Sequence, residues 1–205
     1  MMKIRFTPGA LVFLGAQFFT GGAFLASLLA AVLHECGHLL AARLMGIQLR
    51  LLEVDVLGAR LYPRSALPSY GAEAALAAAG PTASLLFALP LIGLHAPFAD
   101  ALRLATLSFA LFNLLPIEGF DGGRILSAFL SRFAEKGAER VLFCTSYLCL
   151  LLLFSLSACL LLRYGENAAL AVLSATLFAK LFLSLDGSHP TARTNPEEKR
   201  GFGRI

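Results

Sequence analysis

The sequence predicts an all-α polytopic membrane protein of about six transmembrane helices, with a small β-hairpin between the second and third spans. Three observations carry that expectation. Hydrophobic residues make up 58% of the 205-residue chain. Charged residues make up only 15%, against roughly 25% in soluble domains. The mean hydropathy is +0.75. A soluble chain of this size could not hide so much apolar surface, whereas lipid accepts it on every side.

The apolar stretches follow one another along the chain. The first runs from about Pro8 to Phe19 and is broken by Thr20, Gly21 and Gly22; the second runs from Ala23 to about Met45. The third covers about Tyr70 to Leu94 and the fourth about Phe98 to Leu115. The fifth covers about Glu139 to Leu162 and the sixth about Asn167 to Leu185. A spanning helix needs about 20 apolar residues, so the short first and fourth stretches require tilt or a locally thinned bilayer. Lys3 and Arg5 ahead of the first stretch resemble the start of a signal peptide. Apolar sequence continues to His34 without a convincing cleavage site, so a retained helix is expected.

Between Ile47 and Tyr62 the pattern changes to alternation. Ile47, Leu49 and Leu51 alternate with Gln48 and Arg50, and Leu52, Val54 and Val56 alternate with Glu53 and Asp55. Period two predicts strands, with Gly58 as the turn. Such a hairpin cannot expose an open edge to lipid, so it is expected at the cytoplasmic surface or sheltered by helices. Its edge could pair with an extended segment of a substrate. Residues 1–185 form the expected membrane domain, and residues 186–205, polar and rich in Gly, Pro, Thr and Arg, a flexible cytoplasmic tail.

Six spans place both termini on one side of the cell membrane. With that side cytoplasmic, the inner segments carry Lys3, Arg5, Arg50, Arg60, Arg64, Arg124, Arg132, Lys136, Arg140 and the basic residues of the tail, and the outer loops only Arg103 and Arg163, as the positive-inside rule expects. The net charge of +4 is therefore read as loop charge. No basic stripe interleaved with aromatics suggests a nucleic-acid partner. Cys36, Cys144, Cys149 and Cys159 form no CxxC pair and lie in apolar stretches, so free, buried thiols are expected.

The second stretch carries His34, Glu35, Cys36, Gly37 and His38, an H-E-x-x-H pattern. On a helix, residues four apart share a face, so two imidazoles can grip one zinc ion while Glu35, one residue along, reaches a water there without being forced to ligate. Three titratable groups within five positions of an apolar span need a compensating role, because an ionisable group near the bilayer centre is costly, roughly 2.5–3.5 kcal/mol on the insertion scale for Asp, Lys or Arg. Cys36 lies about 200° around the helix from His34 and faces away. Catalytic zinc takes three protein ligands and keeps one position open. Asp121 is the leading third ligand. Pro116 stops the fourth helix, Gly122 and Gly123 allow close backbone approach, and the orientation brings both motifs to the same depth. Glu118 is a rival, read instead as a solvated charge on the turn. Asp186 and Gly187 are read as a helix cap and turn, His95 and His189 as surface histidines. Asn113 either satisfies local backbone groups or binds substrate or a developing oxyanion. Gly80 and Pro81 are read as a kink with close helix packing.

Taken together, the His34–His38 motif, Gly80-Pro81, and Asn113 through Pro116 to Asp121, Gly122 and Gly123 resemble the site-2 protease family of intramembrane zinc metalloproteases, most closely its stage IV sporulation protein FB-type branch. The resemblance covers the chain from the first span to about Leu185. It implies one zinc per chain held by His34, His38 and Asp121, Glu35 as general base, and hydrolysis of peptide bonds in transmembrane or membrane-associated substrates. In that family the cut often releases a transcription factor or anti-sigma factor. The family often carries Asn or a similar residue shortly after Gly-Pro; here Thr82, Ala83 and Ser84 follow. The expected partners are a membrane protein substrate, the lipid bilayer and a regulatory membrane protein. The alternative is a proteolytically silent membrane scaffold that retains the metal site. A transporter is disfavoured, because charged residues do not line several spans and no inverted repeat is evident.

Overall fold

The structure is a computed structural model and describes residues 3–6, 22–55, 58–133, 135–164, 175–179 and 181. The expected first helix, most of the sixth stretch, Asp186, Gly187, His189 and the tail lie outside the described residues. The chain divides into two units, Met1–Ser146 and Tyr147–Ile205.

The first unit opens with β1 (Lys3–Phe6), followed by helix α1 (Gly22–Leu44), β2 (Leu49–Asp55) and β3 (Gly58–Pro63). The helices α2 (Tyr70–Ala88) and α3 (Pro97–Asn113) follow, linked by a 3₁₀ turn at Pro90–Gly93, and then α4 (Asp121–Phe133) and α5 (Glu135–Tyr164). Helix α5 continues into the second unit. There residues 175–179 are helical, and Phe178 meets Tyr147 and Phe154 edge to face.

Three of these helical segments are long and apolar enough to cross a membrane: Phe24–Leu44, Tyr70–Leu91 and Gly137–Arg163. They match the second, third and fifth expected spans. The fourth is a helix of 17 residues, about 25 Å at 1.5 Å per residue, short of the roughly 30 Å hydrocarbon core. Helix α4 was not expected. It is a 13-residue amphipathic helix that buries Asp121, Gly122, Gly123 and Ala128 and exposes Phe129 and Phe133.

The expected hairpin is present. β2 and β3 pair antiparallel, with Leu52 opposite Leu61 and a bulge between Leu49 and Leu51. It does not stand alone, however: β1 pairs parallel with β2, Ile4 opposite Leu52, giving the order β1-β2-β3. β2 therefore has both edges covered, and among the described residues no strand pairs with the outer edge of β3. Parallel partners cannot be joined by a tight turn, and α1 lies between them in the chain.

Helix packing in the first unit follows small residues at a spacing of four. On α1, Ala26, Ala30, His34, His38 and Ala42 are all buried, while Leu25, Leu28, Val32 and Leu40 on the other faces are exposed, as lipid permits. On α2 the buried set includes Leu76, Ala77, Gly80, Pro81, Ser84 and Ala88. Small residues let helix backbones approach closely, which membrane helices use in place of a hydrophobic driving force. At Gly37 the approach is close enough that a Cβ would sit 2.6 Å from both the Ala79 carbonyl oxygen and the Ala83 Cβ. Helix α3 adds Leu102 to Ala26, Ala30 and Leu91 in one apolar cluster.

The cysteines correct an expectation. Cys36, Cys144 and Cys159 are exposed and Cys149 half-buried. Apolar surroundings in the sequence do not imply burial within the protein. On a helix that faces lipid, a thiol can be exposed on the protein and still be out of water.

Candidate metal centre

His34 and His38 arrive on the buried stripe of α1, one helical turn apart. Asp121 arrives by a different route. Helix α3 ends at Asn113, whose Nδ2 donates to the Phe109 carbonyl at 3.0 Å. Beyond it the chain turns sharply. Ile117 N–H donates to Leu115 O at 2.8 Å and Phe120 N–H to Ile117 O at 3.0 Å. Gly119 adopts φ 94°, a left-handed conformation that glycine takes without steric cost. Ile117 and Phe120 are buried and act as apolar pegs, while Glu118 and Gly119 face outward. Ser146 of α5 fastens the turn: its Oγ accepts from Glu118 N–H at 2.8 Å and donates to Leu142 O at 2.7 Å. Gly122 and Gly123 then pass so close to the Leu114 and Ile117 carbonyls that a Cβ at either would collide with backbone. The outcome is a carboxylate in the first turn of α4, where the helix dipole favours negative charge.

The three groups converge. His34 Nε2 and His38 Nε2 each lie 3.1 Å from Asp121 Oδ2 and 3.3 Å from one another. All three residues are buried, at 2%, 3% and 7% relative exposure. Ligands held about 2.0–2.1 Å from one zinc ion at tetrahedral angles lie about 3.3–3.4 Å apart, so the donors need move only a few tenths of an ångström to hold an ion among them.

The outer nitrogens are committed as well. His38 Nδ1 lies 2.8 Å from the Leu76 carbonyl oxygen, and a carbonyl only accepts, so Nδ1 carries the proton. In the neutral ring Nε2 is then a lone pair facing a carboxylate oxygen, and a metal ion or a proton between them makes the contact favourable. His34 Nδ1 lies 3.1 Å from Ser84 Oγ. The third group, the Asp121 carboxylate, turns Oδ2 toward both imidazoles. Its other oxygen, Oδ1, lies 3.9 Å from the Arg124 guanidinium.

Glu35 is half-buried on α1, with Oε2 sealed from solvent. Glu118 is exposed and outside the cluster, His95 is exposed, and Cys36 faces away from the histidines. Among the described residues, His34, His38 and Asp121 form the group of side chains that could hold a metal. Ser84, the Leu76 carbonyl and Ser146 take part in the centre without a signal in the sequence that marks their contacts.

Gly80 has a specific task here. A Cβ at this position would collide with the His38 ring. Gly80→Ala is expected to cost about 1–3 kcal/mol through overpacking and to displace His38, read as a lower unfolding temperature and a lower metal content. Gly71→Ala on the same helix is the control of opposite sign. Its Cβ meets only Ser69 Oγ at 3.7 Å, and alanine there should stabilise the helix by about 0.5–1 kcal/mol.

These features define a helical membrane domain with a buried two-histidine, one-aspartate cluster reached through a broken helix. The fold is similar to that of the site-2 protease from Methanocaldococcus jannaschii, with a TM-score of 0.63 and 22% sequence identity over 89% of this chain and 90% of that chain. No family model matches the chain, and no curated protein sequence matches it. At 22% identity the likeness is one of fold.

Proposed function

We propose that the chain is an intramembrane zinc metalloendopeptidase of site-2 protease type, which hydrolyses peptide bonds of transmembrane or membrane-associated proteins. The convergence of Asp121 on His34 and His38, which lie in a candidate span, at 3.1–3.3 Å carries the reading; the fold likeness and the neighbouring Glu35 support it.

His34 and His38 would hold the zinc through Nε2, and Asp121 through Oδ2. Bound there, zinc supplies Lewis acidity for amide hydrolysis at neutral pH. The Glu35 carboxylate accepts a proton from the attacking water as its oxygen bonds to the scissile carbonyl carbon. It delivers that proton to the amide nitrogen as the C–N bond breaks. The Leu76 carbonyl keeps the His38 proton on Nδ1, and Arg124 steadies the far oxygen of Asp121. Asn113, engaged with the preceding turn, stabilises the end of α3. A multi-pass orientation with both termini cytoplasmic belongs to the same proposal, as does a role in releasing a membrane-tethered regulator.

The test is reconstitution in detergent or vesicles with a single-span substrate. One zinc per chain is expected, with cleavage lost on treatment with 1,10-phenanthroline and restored by zinc. Folded protein that takes up no zinc, or that cuts equally well without it, would overturn the proposal. Stoichiometric zinc without cleavage of any membrane substrate would favour the silent scaffold.

A further inference from the structure

One face of α2 supplies both imidazoles with their outer contacts, from Leu76 and Ser84. Leu76 offers a carbonyl to His38 Nδ1. Gly80, by lacking a side chain, leaves room for the His38 ring. Ser84 places a hydroxyl 3.1 Å from His34 Nδ1 and is itself fully buried. Leu76 and Ser84 lie eight residues apart on α2, about two turns on one face, with Gly80 midway between them. The two contacts differ in kind. A carbonyl can only accept, so the His38 tautomer is dictated by backbone. A hydroxyl can donate or accept, so the His34 tautomer depends on how Ser84 is used.

We infer that Ser84 is the positioning residue for His34, its oxygen accepting Nδ1–H so that the Nε2 lone pair points into the metal centre. A helical serine can send its own proton to a carbonyl three or four residues back, which leaves its oxygen available to accept. The opposite polarity, Ser84 donating to Nδ1, would put a proton on Nε2 and occupy the atom that has to ligate. The inference rests on the metal-centre reading proposed above. It adds that the sequence after Gly80-Pro81 serves the metal, through one hydroxyl and no direct ligand. Outer partners of metal-bound histidines fix ring orientation and tautomer, and losing one typically costs about 10–100-fold in affinity.

The experiment measures zinc affinity of the full chain in detergent by chelator competition, together with the absorption spectrum of the cobalt-loaded protein. Ser84→Ala is expected to bind zinc about 10–100-fold more weakly and to alter the cobalt spectrum. Thr106→Ala is the control. Thr106 is equally buried, but its hydroxyl bonds only to Leu102 O and Arg103 O of its own helix, so its affinity should match wild type. A second measurement needs no variant: nitrogen-15 spectra of histidine-labelled, zinc-loaded wild type should show His34 and His38 both protonated at Nδ1 and bound through Nε2. Wild-type affinity in Ser84→Ala, an equal loss in Thr106→Ala, or His34 bound through Nδ1 would each overturn the inference while leaving the metal centre standing. If wild type takes up no zinc, the metal-centre reading falls and this inference with it.

Discussion

Glu35→Gln is expected to lower cleavage of a co-expressed membrane substrate by about 10²–10⁴-fold, the range a positioned general base contributes, while zinc stays at one per chain. The substitution keeps the shape of the side chain and removes only its ability to take a proton. None of the three converging donor atoms belongs to residue 35, so metal content should not follow activity down. Quantifying cleavage product and bound zinc in the same preparation checks both halves. Retained turnover would remove Glu35 from the mechanism; lost zinc would make it a structural member of the site. The inactive, zinc-loaded variant is also the natural trap for substrate, since the captured protein can then be identified.

Asp121→Asn is expected to weaken zinc binding by more than about 100-fold, beyond the loss of an outer partner, because an anionic ligand becomes a neutral amide. The fold should survive. The charge at the first turn of α4 contributes only about 0.3–1 kcal/mol to the helix, and the glycines, Ile117, Phe120 and Ser146 that shape the turn are untouched. Metal analysis alongside thermal unfolding of the metal-free forms separates the two effects. Full zinc occupancy in Asp121→Asn would mean that the aspartate is not a ligand, and the third donor would have to be sought elsewhere.

What the sequence revealed of this centre depended on whether a residue's chemistry is local. His34, Glu35 and His38 are legible because helix geometry alone places residues four apart on one face. Asp121 is legible because Pro116, Gly122 and Gly123 announce a break where a carboxylate can turn inward. Ser84 is not, because nothing in Thr82-Ala83-Ser84 tells which hydroxyl meets an imidazole 50 residues away. The Leu76 carbonyl has no side-chain signature at all. Ser146 looks like any serine in an apolar helix until the turn it fastens is seen. Of the six expected spans, the second, third and fifth match helices long and apolar enough to cross a membrane to within a few residues, since length and hydropathy define them; the fourth is a shorter helix. Helix α4 was missed because a search for spans of about 20 apolar residues passes over 13 amphipathic ones. β1 was missed because four residues ahead of an apolar stretch read as flanking charge, and their partner strand lies beyond α1.

His34 and Asp121 stand 87 positions apart, and that separation bears on biogenesis. A ribosome that has released α1 into the bilayer has delivered two imidazoles and no carboxylate. Two ligands fall short of the three that hold catalytic zinc, and the turn carrying Asp121 is fastened only once Ser146 has been synthesised. Unfinished chains therefore lack the complete set of three donors. On the proposed function, hydrolytic competence would come late in translation, once the turn carrying Asp121 has docked, and neighbouring nascent membrane proteins would be spared premature cutting.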